Sequence, residues 1–481
     1  MTALWTVDDM AAAMRADKSG ALPLDVPGIS IDSRTLAEGD AFFAIQGENR
    51  DGHDFVEAAL KAGAGLAVIA RAQGARFAAD VPLLAVDDVL DGLRNLARAA
   101  RARSQAKIIA VTGSVGKTST KEALRLALSA DGATHASAAS YNNHWGVPLS
   151  LARCPPSAKY AVFEIGMNHA GEITPLTQLV RPRVAIITTI APVHLEYFGS
   201  LEKIADAKAE IFAGVAPGGA AVLNGDDRQY ARLAKAAAAA GIGRIVSFGE
   251  SAKADARLMR ASLQAECSTV EARILGQDVT YKLGAPGKHL VLNSLAVLAA
   301  AALVGADLAL AALALNNLKA APGRGTRTTL RLPGGSALLI DESYNANPAS
   351  MRAAIVLLGM APVGARGRRI AVLGDMLELG SRGAALHRAL AEPITAAKVD
   401  LVFCCGPLMR ALWEALPSAA RGGYAETAAE LEPVVLDAIR DGDAVMVKGS
   451  LGSKMGPIVK ALVQRYAVAP PLSRSDAPLV G

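Results

Sequence analysis

The residues whose types and spacing point most directly to chemistry are Val111-Thr112-Gly113-Ser114-Val115-Gly116-Lys117-Thr118-Ser119. This stretch follows the short apolar run Lys107-Ile108-Ile109-Ala110 and leads into residues 120–128, which have helical spacing. Strand, glycine turn and helix come in the order a phosphate loop requires. Backbone N–H groups and the positive end of the helix face an anion, Lys117 adds a point charge, and the Thr118 hydroxyl can hold Mg²⁺. ATP or GTP is the expected ligand. The general pattern has a glycine five residues before Gly116, where this chain has Val111, so an ordinary glycine turn with a surface lysine is the alternative on these residues alone.

Other stretches carry groups suited to a cation or an anion. Tyr160-Ala161-Val162-Phe163-Glu164-Ile165-Gly166 is an apolar strand that delivers an acid at its end. A buried acid without a partner is costly, and Mg²⁺ prefers oxygen ligands. His194 follows the apolar run 184–190, at the carboxyl edge where α/β sheets bind ligands, although a lone His is also a common hydrogen-bonded loop residue. Lys208 reads first as a solvated helix lysine. Asp32-Ser33-Arg34, leaving a strand, suits a diphosphate or carboxylate, and equally a capped turn with a surface salt bridge.

The elements that must hold these groups follow from the totals and the patterning. With 481 residues, the chain has room for about three domains of ordinary size. A formal charge of +5 is thin over that length, aromatics are 4%, and no basic run is interleaved with aromatics, which argues against nucleic acid as a partner. Cys154, Cys267, Cys404 and Cys405 lack metal-type spacing and fit a reducing compartment. The opening residues carry acids where a signal peptide needs positive charge, so a cytoplasmic protein is expected. Residues 290–318 are dense in Ala and Leu but are interrupted by Asn293, Ser294, Asp307, Asn316 and Asn317. They read as two packed helices, not a membrane span.

The expected fold class is α/β with three domains. A small N-terminal α/β domain covers residues 1–104, with an amphipathic helix near 7–14 and a closing helix over 93–103. A central phosphate-loop ATPase domain with a mainly parallel sheet covers 105–325 and ends at Ala321-Pro322-Gly323-Arg324-Gly325. A C-terminal doubly wound, Rossmann-like domain covers 326–466, with strands near 337–340, 369–373, 401–404 and 444–447. The ends of those strands carry Asp341-Glu342-Ser343-Tyr344-Asn345-Ala346-Asn347-Pro348, Gly374-Asp375-Met376 and Lys448-Gly449-Ser450, which in an open sheet share one crevice. The Pro- and Ser-rich tail 467–481 reads as disordered.

In this order, these stretches resemble the Mur ligase family of peptidoglycan synthesis. The resemblance rests on Asp32-Ser33-Arg34, the phosphate loop, Tyr141-Asn142-Asn143-His144-Trp145-Gly146-Val147-Pro148, Glu164-Ile165-Gly166-Met167-Asn168-His169-Ala170-Gly171-Glu172-Ile173, His194, Lys208, Pro322-Gly323-Arg324, the 341–348 stretch and Gly374-Asp375-Met376. The family's loop lacks the first glycine, which accounts for Val111. Glu342 stands where relatives often have aspartate.

The resemblance implies an ATP-dependent amide-forming ligase that joins D-alanyl-D-alanine to UDP-N-acetylmuramoyl-tripeptide through an acyl phosphate. The first domain would hold the UDP-muramoyl peptide, the second ATP, and the third would close over both. Catalysis falls to Lys117, Glu164, His194 and Lys208. ATP falls to Gly113, Ser114, Val115, Gly116, Lys117, Thr118 and Ser119, with Asn293, Arg324, Asp341, Tyr344 and Asn345. The other substrates fall to Ser30, Asp32, Ser33, Arg34, Gly47, Asn142, Asn143, Asn168, Asn345 and Asn347. Two Mg²⁺ ions fall to Thr118, Glu164, His194 and Lys208, the last as a carbamate. A cytoplasmic monomer is implied, with no nucleic-acid or membrane partner. The alternatives are the sibling that adds the third stem-peptide residue, whose Asp-Asn-Pro-Arg-like motif is not found in 326–466, and a phosphotransferase or NTPase using the same loop.

Overall fold

The computed structural model describes residues 3–47, 50–138, 140–193 and 195–466. His194 and the tail 467–481 therefore lie outside the described residues. Helix Val7–Met14 forms where expected, capped by the Thr6 hydroxyl, which accepts from Asp9 N. It buries Val7, Met10 and Met14, the apolar stripe of its 3.6-residue repeat. A small sheet follows, in the order Asp17–Ser19, Leu83–Val86, Leu66–Ala70, Ala41–Phe43, Ile29–Ser30, parallel except for its first strand.

Helix Val89–Arg103 begins four residues before the sequence expectation, because Asp88 caps it by accepting from Asp91 N. It packs on Val7–Met14 and on Gly146–Ala152 of the central region, so the two share one apolar core. Trp5 Nε1 donates to Ala152 O at 2.9 Å, and Arg153 Nε donates to Ile29 O at 2.7 Å across the same seam. The Arg103 guanidinium lies 3.3 Å from the Trp5 ring centroid.

The central sheet has nine strands in the order Gln277–Leu283, Ser268–Ile274, Ala256–Leu263, Arg244–Gly249, Ala220–Asn224, Val184–Ile187, Lys107–Thr112, Tyr160–Glu164, Thr134–Ala136. The first two form the expected antiparallel hairpin, and the other seven are parallel to one another. Leu275 and Gly276 turn the hairpin with φ of 48° and 90°, as a two-residue turn of the primed type demands. Lys107–Thr112 lies between strands that follow it in sequence on opposite sides. Its end is thus a topological switch point, flanked by the ends of Tyr160–Glu164 and Val184–Ile187. Helices Lys288–Leu303 and Leu308–Ala314 pack against this sheet and meet at Asp307, which caps the second.

The C-terminal sheet runs Thr326–Leu332, Gly335–Glu342, Ala444–Lys448, Arg369–Gly374, Leu401–Cys405, Arg421–Ala425. Only the first pair is antiparallel. Helix Pro348–Gly359 packs on one face, and Ala428–Ala438 with Gly456–Arg465 on the other, each over its own apolar cluster. This is the doubly wound arrangement. Among the described residues, no helix is long and apolar enough to cross a membrane.

Candidate active site

The phosphate loop is fixed by its glycines. Gly116, at φ 89°, caps helix Lys117–Ser129, and a β-carbon there would come 2.6 Å from Asn293 Nδ2. Gly113 has φ 145°, and a β-carbon there would overlap Thr188 Oγ1. That hydroxyl donates to Val115 O at 2.6 Å, while Ser114 N donates to Thr189 O at 2.8 Å. Asp227 braces the same strand end by accepting from Thr189 Oγ1 at 3.0 Å and Ile190 N at 2.6 Å. Lys117 Nζ folds back onto Gly113 O at 2.9 Å. Burial holds the Lys117 ammonium below its usual pKa, Glu164 opposes that shift, and Arg324 adds to it.

Glu164 is 1% exposed at the end of the neighbouring strand. Its Oε1 accepts from Asn142 Nδ2 at 2.7 Å, and its Oε2 is buried without a protein partner. An orphaned carboxylate oxygen beside a phosphate loop fits a hard cation. Among the described residues, no group of three or more His, Cys, Asp or Glu side chains could hold a metal by itself. That is how Mg²⁺ is commonly bound, through one or two protein oxygens and the phosphates of a nucleotide.

Lys208 departs from the surface lysine suggested by its helix position: it is 2% exposed. Burial first, and Lys117 second, drive its pKa well below the usual value, against the pull of Glu210. Two residues on, the Glu210 carboxylate accepts from Gly171 N at 2.6 Å and from Ile173 N and Thr174 N at 3.1 Å. It thereby fastens the Lys208 helix to the start of helix Ile173–Val180. Asn168 N donates to Glu172 Oε2 at 2.8 Å within that segment.

The C-terminal domain supplies the opposite wall. Gly323, at φ 70°, lets the link pass against Tyr344, and the Arg324 guanidinium lies 4.3 Å from that ring's centroid. Asn347 caps helix Pro348–Gly359 in a reciprocal pair with Ser350, Asp341 accepts from the Ser343 hydroxyl at 2.6 Å, and Asn345 Oδ1 accepts from Ala346 N. Lys448, 2% exposed, donates to Glu342 Oε2 at 3.1 Å and to Asn345 O at 2.9 Å.

These groups surround one cavity of about 440 Å³. Ser114 through Ser119, Asn142, Glu164, Asn168, Arg324, Tyr344, Asn345 and Asn347 line it. Gly113, within the loop, and Asn293, against Gly116, do not line it. Asp341, Asn143 and Lys208 do not line it either, and Asn143 Oδ1 instead accepts from Gly146 N at 2.9 Å. Ser30, Asp32, Ser33, Arg34 and Gly47 belong to the N-terminal domain and are not brought to this cavity. There Arg34 grips Asp32 with two bonds, of 2.9 and 2.7 Å, and holds its carboxyl down at about 2, while Ser30 Oγ accepts from Asp32 N.

The sequence reading missed Glu210 and His289. His289 lines the cavity, and Glu210 acts through backbone amides that no sequence pattern announces. Asp227 had a usable signal, since it too follows a strand end.

Comparison with known proteins gives matches to the Mur ligase family, catalytic domain, over residues 25–101, to the Mur ligase middle domain over 111–301, and to the Mur ligase, glutamate ligase domain, over 327–451. A UDP-N-acetylmuramoyl-tripeptide–D-alanyl-D-alanine ligase of Escherichia coli is 34% identical over 458 residues, 95% of this chain and 98% of its own. The Rickettsia prowazekii enzyme of the same name is 33% identical, over 95% and 99%. A crystal structure of MurF from Acinetobacter baumannii superposes with a TM-score of 0.81 at 30% identity, covering 96% of this chain and 99% of that one. MurF ligase from Thermotoga maritima in complex with ADP gives 0.72 at 26%, covering 91% and 98%.

Proposed function

This chain belongs to the Mur ligase family, and from that premise we propose how its residues carry out the family's chemistry. The protein is an ATP-dependent ligase that joins D-alanyl-D-alanine to UDP-N-acetylmuramoyl-tripeptide in peptidoglycan synthesis. The observation that carries the residue assignments is the meeting of the phosphate loop with the orphaned Glu164 oxygen in a cavity walled by two domains.

The loop amides and Lys117 grip the triphosphate, and Asn293, behind Gly116, meets the adenine. Arg324 and Tyr344 close over the nucleotide from the link, beside Asn345 and the Asp341 turn. Thr118 and Glu164 would hold one Mg²⁺, and His194 and Lys208 a second; bound there, the ions would supply positive charge to offset that of the transferring phosphoryl group.

A peptide carboxylate is a poor acylating agent. The tripeptide's terminal carboxylate therefore takes the terminal phosphoryl of ATP, releasing ADP. The amine of D-alanyl-D-alanine then attacks the acyl phosphate carbon, and phosphate departs from the tetrahedral intermediate as the amide forms. Lys117 offsets the negative charge that builds up in the first step. Lys208 is suited to carbamylation because burial favours its neutral amine, which is the form that adds CO₂, losing a proton and gaining a carboxylate-like end.

The N-terminal domain, 1–104, holds the UDP-muramoyl peptide through Ser30, Asp32, Ser33, Arg34 and Gly47. The domain over 105–325 holds ATP, and that over 326–466 helps to hold ATP and the dipeptide, with Asn347 on the acceptor side. Asn142 and Asn168, which line the cavity, meet the peptide between them. The reaction runs in the cytoplasm on a monomer.

Phosphate release from ATP tests this reading, measured with UDP-N-acetylmuramoyl-tripeptide in the presence and absence of D-alanyl-D-alanine. Sustained release should require both substrates. Acceptor-independent turnover would instead mark a phosphotransferase-like use of the loop.

A further inference from the structure

Lys121, Lys208 and Lys448 are all fully buried lysines, and two of them belong to the site just described. Lys121 lines neither the nucleotide loop's anion site nor the cavity. It sits one turn beyond Lys117 on the helix that follows the phosphate loop, at a position whose burial an apolar residue would satisfy at less cost.

Its contacts lead towards the carboxylate at the metal position. Lys121 Nζ donates to Ser137 O at 2.7 Å and lies 2.9 Å from Glu122 Oε1. Ser137 stands just past the edge strand Thr134–Ala136, and its N–H donates to Val162 O at 3.1 Å, two residues before Glu164. A tight turn follows, with Asn142 N donating to Ser140 O at 2.8 Å. The far side of that turn is pinned by Gly166 N donating to Asn142 O at 2.8 Å. From it, Asn142 Nδ2 reaches Glu164 Oε1 and leaves Oε2 unbonded.

We propose that Lys121 is a positioning residue for the cation. It fastens the phosphate-loop helix to the start of the turn that carries Asn142, so that Asn142 holds Glu164 with one oxygen turned to the metal. Removing a group that orients a metal ligand typically costs about 10–100-fold in metal affinity or activity. This inference rests on the reading of Glu164 as a Mg²⁺ ligand.

The test uses the full-length protein, Mn²⁺ as the probe and a non-hydrolysable ATP analogue, with bound Mn²⁺ counted by electron paramagnetic resonance. Lys121→Met should weaken Mn²⁺ binding at least fivefold while melting cooperatively, and Lys121→Arg should stay within twofold of the parent. Because Lys121 acts through Asn142, Lys121→Met combined with Asn142→Ala should bind Mn²⁺ no more weakly than the worse single variant. If Lys121→Met does not fold, Lys121→Gln is measured in its place, with the same expectation.

Unchanged Mn²⁺ affinity in the Lys121 variants, or losses that multiply in the double variant, would overturn the proposal. Glu164→Gln, measured alongside, separates the two ideas. If it leaves Mn²⁺ affinity unchanged, the metal reading itself fails. If it weakens binding while Lys121→Met does not, only the positioning role fails.

Discussion

The side-chain amide of Asn293 lies over Gly116, so that the helix Lys288–Leu303 and the phosphate loop fit together only because position 116 has no β-carbon. Gly116 also has φ 89°, which costs an L-residue roughly 1–2 kcal/mol. Gly116→Ala is therefore expected to raise KM for ATP by about tenfold or more. Because Asn293 is also proposed to meet the adenine, the steric part is read from stability: adding Asn293→Ala should recover part of the melting temperature lost in Gly116→Ala and leave the backbone part, which thermal melts of both variants would reveal.

Lys117→Ala is expected to lower ligation by roughly a hundredfold to a thousandfold, the usual result of deleting one preorganised charge partner of a transition state. Its melting temperature should not fall, because among the described residues Lys117 bonds only the carbonyls of its own loop. Near-normal turnover in a folded variant would remove the loop from the mechanism.

The loop, the strand ending in Glu164, the strand within 184–190 and the strands near 337–340, 369–373, 401–404 and 444–447 were legible because their signals are local: glycines at fixed offsets, and apolar runs followed by polar turns, whereas Arg244–Gly249 and Ala256–Leu263 of the central sheet went unread. The edge strands Thr134–Ala136 and Arg421–Ala425 were not, since they are short and only partly buried, and pairing with a neighbour decides them. Helix Ala428–Ala438 was overlooked even though Thr427 and Glu430 spell out its reciprocal cap. Lys208 misled for a different reason. A helix period says which residues share a face, but not that the fold will bury that face.

Lys208→Ala should lose activity and regain part of it with millimolar formate or acetate, small carboxylates that take the place of the carbamate. In the parent enzyme, a ¹³C-bicarbonate signal assigned to a lysine carbamate should appear, and be missing from Lys208→Ala. Lack of both rescue and signal would leave Lys208 as a buried neutral amine with another purpose.

His387 is fully buried, accepts from Met376 N through Nε2 at 2.9 Å and donates through Nδ1 to Gly383 O at 2.7 Å, so the neutral ring is the one that fits. Burial holds its pKa below the ordinary 6.5, and Asp375, 4.0 Å away, opposes that shift without reversing it. Below pH 6.5 the unfolded chain takes up a proton that the folded chain refuses. The stability from this group is therefore complete above that pH and is lost as pH falls through it towards the folded-state value. Scanning calorimetry between pH 7.5 and 5.5 should show the melting temperature falling with acidification. His387→Gln should melt lower at neutral pH and with a flatter slope.

The nucleotide chamber takes its floor from one sheet and its roof from another, and each sheet has its own apolar clusters. The two are joined by a single short covalent link at residues 321–325. Such a division lets selection alter one half while the other goes on working. Phosphate handling can stay constant in the first half while new acceptors are tried in the second, so grafting a relative's final domain after Gly325 is a direct route to recoding what this scaffold attaches.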